Sequence, residues 1–477
     1  MIVGREQEIA ELQMALESKR PEFVVLYGRR RVGKTYLIDN VYRDEIVFRH
    51  AGLPSLKTKP KEQLTRQLNA FRNSLSAYGV PLPKEAFQSW MEAFSCLKSY
   101  LDSFPASRRV VVFLDEVPWM DTVSSHFVDA LSDLWSNFVC FHDNVLLAVT
   151  GSASSWILDN LVQSTTGFYR RVTHAILLKP FTLAECEKLL RLNGLSPSRY
   201  EIAEIYMAVG GIPYYLNYFL PGVSVAQNID RIFFGDSARL QDEFTALFDS
   251  QFVAPRIYES LVRALAKKSI GLSAAELGKA VKLETSGSFY EMLRALKRSR
   301  IIQEYSLFGE SKRDTYFKLV DPFCYFYLKQ VEPHQSDSHY YENHANSSSL
   351  SAYRGYAFEL LCFDHIDAIK KAMSVLGVAS SAFPFSQRDE GMEAAQIDLV
   401  LRRGDNVVNL CEAKWSGEEF AMNKAEHLAL ERKKRVLGGH LLKRESIRCV
   451  LLTTFGLKRG EYFSDFSNII TLDDLFS

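Results

Sequence analysis

The chain has 477 residues, 47% hydrophobic and 24% charged, with 57 basic residues balancing 57 acidic ones. That length predicts two to four domains, since a single core stops growing near ~250–300 residues. A net charge of zero excludes a polyanion-binding surface spread over the whole chain and leaves room only for a local patch.

Seven cysteines (Cys96, Cys140, Cys186, Cys324, Cys362, Cys411 and Cys449) are scattered, odd in number and never in C-x-x-C spacing. This pattern argues against a disulfide framework or a zinc site and fits a reducing compartment. The N-terminal residues do not read as a signal peptide, and no apolar run approaches the ~18 residues of a membrane span. A cytoplasmic protein without membrane contact is expected.

The helical pattern of residues 6–18 follows Val3-Gly4-Arg5-Glu6 and carries Ile9, Leu12 and Leu16 on one face. Next comes a strand-like run, Phe23-Val24-Val25-Leu26, which leads into Gly28-x-x-x-x-Gly33-Lys34-Thr35 and a second helical stretch. Strand, glycine-rich loop and helix in that order make a phosphate-binding loop. Glycines let backbone amides approach phosphate oxygens, and the helix start adds its unpaired N–H groups. Gly28, Arg29, Arg30, Arg31, Val32, Gly33, Lys34, Thr35 and Tyr36 would therefore hold ATP, with Lys34 on the β and γ phosphates and Thr35 on Mg²⁺.

Residues 46–50 suit a second strand, and residues 61–78 and 85–104 two helices. Arg109-Val-Val-Val-Phe-Leu-Asp115-Glu116 reads as a central parallel strand with two carboxylates at its end. Asp115 would ligate Mg²⁺, and Glu116 would polarise the attacking water. A third buried strand over residues 144–150 precedes Gly151 and Ser152, so Thr150 or Ser152 is placed to sense the γ-phosphate. Ser154 and Ser155 serve equally as helix caps. Arg170 or Arg171 could act as an arginine finger, in cis or across an oligomer interface, or form a surface salt bridge. Residues 176–181 suit a last strand.

The ordered set Gly4-Arg5-Glu6, Gly28 to Thr35, Leu114-Asp115-Glu116, Thr150-Gly151-Ser152, Tyr169-x-Arg171 and Gly210-Gly211-Ile212-Pro213 resembles the archaeal-type ATPases of the STAND branch of AAA+-related P-loop proteins. The resemblance covers residues 1–240. It implies an α/β fold: a RecA-like parallel sheet over residues 1–181, then a helical lid over 182–240. In that family the Gly-Arg-Glu segment lies by the adenine, and Pro213 falls in a lid turn that touches nucleotide. Arg170 departs from the family pattern, which has glycine there.

Residues 241–332 read as three helices and a hairpin about Gly309, a winged-helix pattern. DNA reading by the third helix would use Arg294, Lys297, Arg298 and Arg300; the other reading is an interdomain spacer. Residues 333–350 are polar and aperiodic, as in a linker. In the last segment, 351–477, Ile397, Leu399 and Leu401 alternate with polar partners up to a Gly404-Asp405-Asn406 turn and a second strand ending Glu412-Ala413-Lys414-Trp415. On that hairpin Asp398 and Glu412 suit Mg²⁺ or Mn²⁺, Lys414 could activate water, and Glu359 could add a fourth group.

With a helix before it and a basic helix over 422–437 after it, this hairpin resembles the PD-(D/E)XK nuclease superfamily. Ile397 stands where that pattern often has proline. The resemblance implies roles for Glu359, Asp398, Glu412 and Lys414 only. Arg432-Lys433-Lys434-Arg435 could track a phosphate backbone or form a solvated face. Taken together, these readings predict an ATP-switched DNase. A scaffold or DNA-binding switch with a silent nuclease fold is the chief alternative, and a transcription regulator is the third. A homo-oligomer or partner protein is compatible with each.

Overall fold

The structure is a computed structural model that describes residues 2–54, 58–165, 167–306, 315–387 and 394–477. The chain forms two compact units, Met1–Pro180 with Asp249–Val253, and Phe181–Phe248 with Ala254–Ser477. Among the described residues no helix is long and apolar enough to cross a membrane.

The first unit is built on β1 (Glu22–Tyr27), β2 (Ile46–Ala51), β3 (Val110–Asp115), β4 (Val145–Gly151) and β5 (His174–Leu177). They form one parallel sheet in the order β2-β3-β4-β1-β5. Continuous apolar runs make β3 and β4 buried throughout, as expected of strands covered on both faces. β4 therefore lies between the phosphate-loop strand and the acidic strand. Phe71, Trp90, Phe94 and Phe127 meet edge to face over one side of the sheet.

Helix Pro60–Ala77 lies where the spacing puts it, whereas the 85–104 pattern yields only Trp90–Leu101. The reason is a cap: Ser89 Oγ accepts from the Glu92 N–H, which starts the helix there. Helix Phe127–Asn137 has no counterpart in the sequence reading.

The second unit begins with the segment expected to form a lid, whose helices Leu183–Leu192, Arg199–Val209 and Val225–Phe233 are each opened by a capping box. Gly210 and Gly211 follow in left-handed conformation, and a Cβ on Gly211 would lie 2.3 Å from the Phe181 carbonyl oxygen. Helices Pro255–Ala266, Ala274–Val281 and Gly287–Arg298 come next. They pack with an antiparallel sheet β6-β8-β7, made of β6 (Leu272–Ser273), β7 (Ile302–Ser306) and β8 (Thr315–Leu319). The turn placed at Gly309 lies outside the described residues.

Residues 333–350 are more ordered than a linker. Tyr340 and Tyr341 are buried, and the Asp230 carboxylate accepts from the Tyr341 and Glu342 N–H groups at 2.7 and 2.9 Å. Polar composition hid this, because the anchoring comes from a distant lid helix.

The last sheet has the order β13-β12-β11-β10-β9, from β9 (Ser380–Gln387), β10 (Ala395–Arg403), β11 (Val407–Lys414), β12 (Ser446–Thr453) and β13 (Asn468–Thr471). β9, β10 and β11 are antiparallel, whereas β11, β12 and β13 run parallel. Helix Ser348–Asp364 precedes the sheet, and helix Lys424–Gly438 connects β11 to β12. The first of these helices ends at His365, before a short helix Ile366–Ala372; the His365 Nδ1 donates to the Leu361 carbonyl and its Nε2 accepts from the Leu183 N–H.

Burial holds His365 neutral and pushes its pKa down to about 4, and burial does the same to His50 in the first unit. An unfolded histidine titrates near 6.5, so between pH 6.5 and 4 the unfolded chain binds more protons than the native one. The contribution of these groups is complete above pH 6.5 and is lost as pH falls toward 4. Thermal midpoints should therefore drop across that window, and His50→Gln with His365→Gln should flatten the slope. An unchanged slope in the double variant would sink this assignment.

Candidate functional site

In the phosphate loop Gly28 and Gly33 are left-handed, and a Cβ on Gly28 would lie 2.3 Å from the Leu178 carbonyl oxygen. Only glycine fits there. Helix Lys34–Val41 opens directly after the loop. Lys34 Nζ donates to the Gly28 and Arg29 carbonyls at 3.1 Å each, and Glu116 Oε1 is 3.9 Å away. Burial lowers the Lys34 pKa, while Glu116 and Asp115 oppose the shift.

Thr35 Oγ1 donates to the Asp115 carboxylate, 2.9 Å from Oδ2 and 3.1 Å from Oδ1. Thr150, reached from the neighbouring β4, donates to Asp115 Oδ1 and accepts from the Glu116 N–H at 3.1 Å. Ser152 fixes the second carboxylate, its N–H and hydroxyl donating to Glu116 Oε2 at 2.9 and 2.8 Å. Glu116 sits at φ 50°, a region that costs a non-glycine residue of order ~1 kcal/mol or more and tends to mark functional positions. Gly4 and Arg5 also take left-handed backbone before the first helix, and Arg5 is buried.

The candidate sensors and carboxylates thus converge, with Thr150 and Ser152 serving different partners. The Thr35 hydroxyl and the Asp115 carboxylate are hard oxygen donors, which suits Mg²⁺. When bound, the ion would neutralise phosphate charge.

Arg49 on β2 was not singled out from the sequence, although a charge inside an otherwise apolar strand was a readable signal. Its guanidinium pairs with Asp39 at 2.9 Å and reaches within 4.0 Å of Asp115 Oδ2. The two finger candidates diverge. Arg171 is engaged by Ser132 and Ser136 of helix Phe127–Asn137 rather than aimed at the phosphate loop, while Arg170 is exposed over the Tyr169 ring. Pro213 opens a short helix, Pro213–Leu216, in the second unit.

Residues 2–219 match the family described as "ATPase domain predominantly from Archaea". This part of the chain is an archaeal-type ATPase domain. Over 464 residues, 92% of this chain and 93% of the relative, it is 24% identical to the uncharacterized protein MJECL04 of Methanocaldococcus jannaschii. Among solved structures it resembles the Walker-type ATPase PABY2304 of Pyrococcus abyssi, at 20% identity and TM-score 0.44, covering 69% of this chain and 96% of that one. It also resembles the Aeropyrum pernix ORC2 protein, at 14% identity and TM-score 0.39, covering 68% and 92%. The Pyrococcus horikoshii STAND protein PH0952, which has a tetratricopeptide repeat sensor, matches at 13% identity and TM-score 0.31, covering 79% and 52%.

In the C-terminal sheet, Asp398 lies at an irregularity in β9–β10 pairing between Ile397 and Val400, a device that re-aims a side chain. Asp398 Oδ2 accepts from the Ala413 N–H at 3.1 Å, which draws it toward Glu412. Burial, then Asp398, raises the pKa of Glu412. Glu359 enters from helix Ser348–Asp364, and burial with Asp398 and Glu412 pushes its pKa up to about 8 against Lys318 and Lys433. Lys414 Nζ lies 5.8 Å from the Phe420 ring centroid.

Asp398 is therefore held beside the end of β11 that carries Glu412, with Glu359 near enough to feel both charges, whereas among the described residues the group whose ligand atoms all lie within 4.8 Å of one another is Asp230, His339 and Glu342. The basic run after β11 is less free than its composition implies: Lys433 pairs with Glu412 and Lys434 with Glu431. In the middle segment Arg294 pairs with Glu291 at 3.0 Å, Lys297 with Glu304, and Arg300 with Asp364 at 3.8 Å.

Thr150→Val keeps side-chain shape but removes the hydroxyl that orients Asp115. ATP turnover should fall on the order of 10- to 10²-fold, with a smaller change in nucleotide affinity. Fluorescent-nucleotide titration beside steady-state hydrolysis would separate the two effects, and unchanged turnover would rule this role out.

Proposed function

We propose that the chain is an ATP-hydrolysing switch that gates a divalent-metal-dependent nuclease acting on DNA. The observation that carries the second half is the hydrogen bond that holds the Asp398 carboxylate at the Ala413 N–H, 3.1 Å away and next in sequence to Glu412, with Glu359 near enough to feel both charges. Burying like charges together is costly, and functional sites are where that cost is commonly met. The topology, with a helix before an antiparallel trio and a helix before two added parallel strands, supports the same reading.

In this reading Asp398 and Glu412 would hold Mg²⁺ or Mn²⁺, with Glu359 beside them, and the ion would stabilise charge on a scissile phosphate. Lys414 would orient the water. In the first unit Lys34, Thr35, Asp115 and Glu116 would bind and hydrolyse ATP, with Pro213 reporting nucleotide to the lid. The exposed Arg170 is better placed than Arg171 to reach a second copy of the chain or a partner protein.

A silent nuclease fold used as a scaffold is the second reading. It is favoured by the internal pairing of Lys433, Arg294, Lys297 and Arg300, which lowers the positive charge available to DNA. The same pairing supports the spacer role for the middle helices.

The deciding experiment incubates full-length protein with linear, supercoiled and single-stranded DNA, with Mg²⁺ or Mn²⁺, with and without ATP. Cleavage should fall at least ~10²-fold in Asp398→Ala and Lys414→Ala. Lys34→Ala should remove the response to ATP. No cleavage under any metal, with ATP hydrolysis intact, would select the scaffold.

A further inference from the structure

Among the described residues Arg294, Lys297 and Arg300 of the middle segment each pair with a carboxylate, whereas Lys267 and Lys329 pair with none. These two lysines line one cavity of about 320 Å³ within the second unit, together with Arg263, Ala266, Leu328 and Glu332. One wall is the end of helix Pro255–Ala266, and the other is a π-helical turn, Tyr327–Val331. Such turns are rare and recur at functional sites. Aromatic rings back two of the cations. The Arg263 guanidinium carbon lies 5.2 Å from the Phe244 ring centroid, and Phe244 stacks in turn on Tyr327, with centroids 4.7 Å apart. Lys329 Nζ lies 5.9 Å from the Tyr325 ring centroid. Arg263 also pairs with Glu332 at 2.5 Å, so the one carboxylate among the lining residues is already engaged. Three cations against one carboxylate give the lining a formal charge of +2. The helix dipole accounts for a lysine at a helix end, as at Lys267. It does not account for Lys329 inside the turn, and like charges around one concavity repel until an anion joins them.

We propose that this cavity binds the phosphate group of a small phosphorylated ligand, of nucleotide size or less, at a site separate from the phosphate loop. A phosphomonoester carries about −1.5 to −2 charges near pH 7, which matches the charge of the lining. Arg263 presents a fork of five donors, of which Glu332 takes only part, and each lysine adds a compact point charge. Ala266 and Leu328 supply apolar wall for the rest of the ligand. The volume stands at the low end of the ~300–1,000 Å³ usual for small-molecule pockets, which sets the size limit. It also sets the class, since a duplex backbone lies along a surface and does not enter a concavity of this size. A bound phosphate would bridge the helix and the π-helical turn, adding to the Arg263–Glu332 pair that already joins them. The site is independent of the nuclease reading and uses none of its residues.

The test is titration calorimetry of the full chain with AMP, inorganic pyrophosphate and duplex DNA, with Lys34→Ala in every sample to silence the phosphate loop. At least one of the two small anions should bind. Lys267→Gln combined with Lys329→Gln should weaken that binding at least about ten-fold, the scale of one lost charge-assisted contact. Ala266→Met, which fills the cavity and leaves every charge in place, should weaken it as well. Should Ala266→Met not fold, Leu328→Trp blocks the cavity from the opposite wall. No binding of either small anion overturns the site, and so does binding that survives the lysine and cavity-filling variants. Binding that falls with the lysines but ignores the filled cavity makes them an exposed basic patch, which also overturns it. A loss confined to duplex DNA gives the lysines to a nucleic-acid surface and counts equally against the cavity.

Discussion

Carboxylates gathered out of water need cations beside them, and this requirement organises the second unit. Glu359, Asp398 and Glu412 come from a helix and two strands, and no one of these elements supplies the balancing charge. Lys433, from the helix after the hairpin, pairs with Glu412.

The first unit meets a similar requirement differently. Asp115 and Glu116 end a strand that is otherwise wholly apolar, and hydroxyls hold both carboxylates in place. Thr35 and Thr150 orient one, Ser152 the other. Because β4 lies between β1 and β3, Thr150 on it and Ser152 just after its end reach both acids. Neutral donors orient each carboxylate without cancelling its charge, while Arg49 and Lys34 stand at the edge of ion-pair distance, 4.0 Å from Asp115 and 3.9 Å from Glu116.

The nucleotide site was legible because its chemistry is local. Gly28 to Thr35 are contiguous, and Asp115 with Glu116 mark the end of an apolar run that periodicity alone assigns. Asp398, Glu412 and Lys414 were nominated on similarly local grounds, since one hairpin carries all three. What sequence reasoning missed depends on long-range packing. Arg49 and Lys318 sit on strands whose alternation says nothing about a partner many residues away. Lys433 was read within a basic run, and only the fold turns it inward toward Glu412. The expected linker failed likewise, since the anchor of Tyr341 is Asp230, 111 residues earlier.

Helix Ser348–Asp364 joins these features. On one side it is bound to lid helix Arg199–Val209: the Tyr353 hydroxyl donates to the Met207 carbonyl at 2.8 Å, and Arg354 pairs with Glu204 at 2.9 Å. On another it presents Tyr356 and Glu359 to Lys318 and the acidic site. Helix Arg199–Val209 also meets the residue that follows β11: the Tyr200 and Trp415 rings lie tilted against each other with centroids 4.4 Å apart. A displacement of the lid helix must therefore carry Glu359 with it or break buried contacts on the way. Packed helices bound at several points move as bodies rather than deform continuously. Within the second unit the lid and the acidic site are one helix apart, so coupling between them needs no longer path.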